Sequence, residues 1–70
     1  MFEEEFDRRT RATMGAVLEQ TSKNLPDNDY ESRKFVAQRL IVCARSGRTT
    51  VGDLTTAAQL AAIELIAAAD

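Results

Sequence analysis

Histidine and tryptophan are absent from this chain, and cysteine and proline occur once each. Each absence removes a class of chemistry. Without histidine there is no side chain whose ordinary pKa lies near neutral pH, so general acid–base catalysis lacks its usual agent. A structural zinc site loses its ordinary ligands as well, because Cys43 alone cannot complete a tetrahedral shell. The same single cysteine forms no intrachain disulfide, and a lone thiol fits a reducing, cytoplasmic compartment. No catalytic residue, cofactor or metal is therefore expected, and the chain reads as non-enzymatic. A secretory leader is not expected either, since Met1-Phe2 runs at once into Glu3-Glu4-Glu5 rather than into a basic segment and an apolar one. Runs of alternating β-branched and polar residues are missing too, which argues against strands.

What the chain does contain is alanine, glutamate, arginine and leucine, arranged in segments of helical period. Two groups of breakers divide it: Asn24-Leu25-Pro26-Asp27-Asn28 and Ser46-Gly47-Arg48-Thr49-Thr50. The expectation is a single all-α domain, a small three-helix bundle with helices over about 3–23, 28–46 and 51–69. Seventy residues bury only about 60% of the surface of the unfolded chain, so such a domain is marginal unless its helices pack well or it associates.

In the first segment Phe2, Phe6, Met14, Val17 and Leu18 share one side with Thr10, Thr13 and Thr21, and acids 3, 4, 5 and 7 complement the helix dipole. In the second, Val36, Ala37, Leu40, Ile41, Cys43 and Ala44 form a broad apolar face, while Phe35 and Val42 line up elsewhere. In the third, Thr50 and Asp53 have the spacing of a helix cap. From Ala57 to Ala69 that segment carries only two polar residues, Gln59 and Glu64. A helix apolar nearly all round is expected to be the most buried of the three. Its wheel has one side of Val51, Leu54, Ala58, Ala61 and Leu65, and another of Leu60 and Ile63 flanked by Ile66 and Ala67.

The second side needs a partner. Leu60, Ile63 and Ile66, joined by Phe35 and Val42, are the candidate interface, and the simplest partner is a second copy in a two-fold homodimer. Another protein could take the same place, and so could the chain's own first two helices in a monomer. The alternative partner is nucleic acid or phosphate. Arg33, Lys34, Arg39, Arg45 and Arg48 give five positive charges between residues 33 and 48 with no acid among them. Arg39, Arg45, Arg48, Thr49 and Thr50 are the candidate anion contacts, leading into a helix N-terminus. A helix-turn-helix reading is weak, because beyond Arg48 only Gln59 offers a base-reading side chain and Asp53 would repel the backbone.

Two other readings fail on the residues. Asp27-Asn28-Asp29-Tyr30-Glu31 opens like a calcium loop, but Ser32 stands where the turn needs glycine and Gln38 where a bidentate glutamate belongs. The C-terminal apolar run is about thirteen residues, short of the roughly 20 that span a bilayer, and lacks the basic face and aromatics of an interfacial helix. No membrane association and no small-molecule substrate are expected.

The stretch Arg39-Leu40-Ile41, Ala44-Arg45-Ser46-Gly47, Thr50 and Asp53-Leu54, followed by alanine-rich helix, resembles a pattern in short uncharacterised bacterial all-α proteins. It covers the C-terminal half. The resemblance implies a small all-α protein and carries no activity.

Overall fold

The structure, a computed structural model, describes residues 6–25 and 30–68. Phe2, the acidic residues 3–5 and the stretch 26–29 lie outside the described residues. Three helices pack on one another: α1 (Arg8–Ser22), α2 (Tyr30–Arg45) and α3 (Val51–Ala68). Among the described residues there is no strand, and each helix touches the other two. This is the small all-α three-helix bundle that the periodicity implies.

Each boundary has a local cause. Helix α1 begins later than the expected residue 3, because Asp7 is extended and caps it, its Oδ1 accepting the Thr10 amide N–H at 2.7 Å. The C-terminus of α2 closes as a Schellman turn. The Gly47 amide donates to the Ala44 carbonyl at 3.0 Å, and the Arg48 amide donates to the Cys43 carbonyl at 3.2 Å. Gly47 has φ of 91°, the left-handed conformation this turn requires. Thr50 then caps α3, its Oγ1 accepting the Asp53 amide at 3.1 Å.

The core is built from Met14, Val17 and Leu18 of α1, Val36, Ala37, Leu40 and Ala44 of α2, and Leu54, Ala58 and Ala61 of α3. Leu25, placed among breakers by composition, is buried and closes one end of this core. Ser22 is buried with its hydroxyl donating to the Leu18 carbonyl at 2.8 Å, which satisfies it locally.

The expectation that the third helix is the most buried is overturned. In α3 only Leu54, Ala58 and Ala61 are buried, whereas α1 buries Met14, Val17, Leu18, Thr21 and Ser22 over a shorter length. The reason is geometric. Three helices in a triangle give each one two neighbours on the same side, so α1 and α2 cover one flank of α3 and leave its outer flank open. Two of its three buried residues are alanines, which let the neighbouring backbones come close. Val51, expected on the core side, is 64% exposed at the start of the helix.

Candidate interaction surface

On the outer flank of α3, Leu60 is 58% exposed, Ile63 61% and Ile66 48%. Helical spacing brings these three together. Thr56, Gln59 and Ala67 are exposed beside them. The opposite flank carries Leu54, with Leu65 half-buried against the core. The two-sided wheel of this helix is thus present in three dimensions.

Val42 of α2 is 63% exposed and lines the same hollow as Leu60. This hollow, about 330 Å³, runs along the α2–α3 seam, with Cys43 and Ala57 on its apolar side and Arg39, Arg48 and Asp53 on its polar side. Phe35 belongs elsewhere. It is half-buried, packs against the core and faces Leu65 and Gln38, while the Arg39 guanidinium lies over its ring at 5.1 Å. The structure therefore groups Val42 with Leu60, continues to Ile63 and Ile66, and sets Phe35 apart.

Of the candidate anion contacts only Arg39 and Arg48 line the hollow along the α2–α3 seam. Arg39 crosses the seam to Glu64, with Nη2 2.9 Å from one carboxylate oxygen and 3.2 Å from the other. Arg48 shares its hollow with Asp53. Arg45 is exposed on the last turn of α2. Thr49 and Thr50 line a separate hollow with Asp7, Arg9, Thr10 and Thr13, where the first turns of α1 and α3 meet. Nothing in the sequence places Arg9 beside Thr49 and Thr50, since the two segments are forty residues apart and only packing brings them together.

Cys43 sits half-buried at the foot of the seam. Its thiol approaches the Arg48 carbonyl at 3.3 Å and the Asp53 carbonyl at 3.7 Å, so it links the end of α2 to the start of α3. Burial pushes the thiol above its ordinary pKa, Asp53 adds to the rise and Arg48 opposes it. A thiol so placed is a poor nucleophile at neutral pH. Among the described residues no group of three or more His, Cys, Asp or Glu could hold a metal ion.

By length and composition α3 could cross a membrane: it has 18 residues with a mean hydropathy of 1.3, and 17% of it is buried. The helix is longer than the apolar run of thirteen read from sequence, because Val51, Leu54 and the two threonines that follow Leu54 belong to it as well. No family model, no curated protein and no solved structure matches this chain.

Proposed function

We propose that this chain is a non-enzymatic interaction module that associates with a second copy of itself through the outer flank of α3. The observation that carries this reading is the continuous exposure of Leu60, Ile63 and Ile66 on one side of α3, extended by Val42 across the seam. Fully burying a Leu, Ile or Val contributes roughly 1.5 to 3 kcal/mol, and each of these four still has about half of its surface or more in water. A domain of this size has little stability in reserve, so covering the patch is a substantial gain. A dimer that forms in a reducing cytoplasm needs no disulfide, which suits a chain whose one thiol is half-buried.

The nucleic-acid reading has weaker support. Of its five candidate contacts, Arg39 is tied to Glu64 and the Thr50 hydroxyl oxygen is occupied by the Asp53 amide. Asp53 also places a negative charge in the hollow that holds Arg48.

Size exclusion with light scattering tests the proposal. The dimer reading expects twice the 7.7 kDa chain mass at micromolar concentration, and a monomer after Leu60→Asp or Ile63→Asp with helicity retained. A monomeric parent that binds lipid vesicles would assign the flank to a membrane instead. Retardation of DNA at low salt that disappears with Arg45→Ala and Arg48→Ala would favour the alternative.

A further inference from the structure

Along the outer flank of α3 the residues at the centre of the exposed stripe are Thr56, Leu60, Ile63 and Ala67. Their spacing of four, three and four residues is that of a short coiled-coil seam. Their sizes run small, large, large, small, and so read the same in both directions. A seam with that symmetry is self-complementary when two copies meet antiparallel about a two-fold axis midway between Leu60 and Ile63. Leu60 then meets the partner's Ile63 in two equivalent central layers, and Thr56 meets the partner's Ala67 at either end. The parallel arrangement is disfavoured by residue order. In a seam that alternates the two core positions, Leu60 takes the first and Ile63 the second, the reverse of the order that favours two parallel strands.

Charge and size fit the same arrangement. Helix α3 has no Lys or Arg, and the carboxylate of Glu64 lies off the stripe and is already paired with Arg39 of its own chain. In the antiparallel register Glu64 faces the partner's Ala57, so the two Glu64 carboxylates are not brought opposite one another. A specific interface covers about 800 Å² per partner. The bundle measures 36 by 18 Å across its long face, so a stable dimer must use nearly all of that face. An axis between Leu60 and Ile63 lies within a turn of the middle of α3, which gives close to full overlap.

Resting on the dimer reading above, we infer that the two copies pack α3 against α3 in antiparallel orientation, with the two-fold axis between Leu60 and Ile63. The consequence is an asymmetry of reach. By the helical rise, position 56 lies about 16 Å along the axis from its own copy in the partner, and so does position 67, while 56 and the partner's 67 are neighbours.

Disulfide trapping reads this out. In a Cys43→Ala background, Thr56→Cys and Ala67→Cys are prepared separately, both at exposed positions, and oxidised alone and as a mixture. The expected result is a covalent dimer only in the mixture, because a disulfide requires Cα atoms within about 7 Å. Homodimers from each variant alone, in a protein of dimeric mass, would overturn the antiparallel register and leave the dimer standing. Dimeric mass with no cross-link in any sample would place the interface off this flank and overturn the inference. A monomeric mass for the Cys43→Ala protein and the parent alike would overturn the dimer and the register together.

Discussion

Arg39 and Glu64 join the middle of α2 to the far half of α3, at 2.9 Å and 25 residues apart in sequence. Both side chains remain about half exposed, at 48% and 50%. An ion pair so open to solvent is screened and contributes little. Glu64→Gln is expected to lower stability by less than about 1 kcal/mol, with the difference shrinking in high salt. Urea titrations at low and high ionic strength measure it, and a salt-independent loss of several kcal/mol would contradict a surface pair.

Leu40 is fully buried among all three helices, whereas Leu60 lies on the outer flank. Leu40→Ala is expected to cost about 2 to 5 kcal/mol, a large share of the stability of so small a domain. Leu60→Ala should cost the monomer less than about 1 kcal/mol, because it creates no internal cavity. Helical circular dichroism followed through urea, at concentrations low enough to keep the chain monomeric, separates the two.

Gly47 and Gly15 are expected to respond in opposite directions to the same change. A Cβ at either position meets nothing within 4 Å, so space does not distinguish them. Gly47 holds a φ of 91°, and Gly47→Ala should destabilise by about 1 to 2 kcal/mol. Gly15 lies inside α1, where Gly15→Ala should stabilise by about 0.5 to 1 kcal/mol. Thermal midpoints that move the same way for both would refute this assignment.

Asp7 gives the bundle an acid-sensitive cap. Its carboxyl is held below the usual 3.8 chiefly by the Thr10 backbone N–H, and further by the Thr10 side chain. The folded state therefore favours the ionised form, so the contribution is complete above 3.8 and is lost as the pH falls through the lower folded value. Asp7→Asn keeps a cap acceptor and removes the titration. Its stability should depend less steeply on pH in that acidic window than the parent's, as measured by urea midpoints.

Cys43 should alkylate more slowly in the folded chain than in urea at about pH 8, because burial raises its pKa above the usual 9.0. The sign for stability is opposite to that of Asp7. The folded state holds the thiol proton more tightly, so this contribution is present below 9.0 and is lost as the pH rises through the higher folded value. Equal alkylation rates in the folded and unfolded chain would show that the thiol is not shielded.

Much of the fold was legible because it depends on near neighbours in the chain. Gly47 stopping α2 and Thr50 starting α3 are events within a few residues, decided by φ and by a hydroxyl that reaches an amide three positions on. The core residues of α2 followed from period alone: Val36, Leu40 and Ala44 repeat every four residues and all are buried. Asp7 was legible in type but not in role. Read as one of several acids near a helix start, it is the cap itself, and that distinction depends on its own extended backbone.

What sequence alone determined here is which residues can share a helix face, including the separation of Leu54 and Leu65 from Leu60 and Ile63. That follows from the 100° step per residue and requires no other element. Only the tertiary structure decided which of those faces is covered. Apolar character made α3 look like the centre of the domain, yet a bundle of three helices places every neighbour of α3 on one side, so Leu60, Ile63 and Ile66 stay in solvent. The same packing drew Phe35 onto the core, gave Arg39 to Glu64 and brought Arg9 beside Thr50, because those meetings are set by how helices cross and not by any order along the chain.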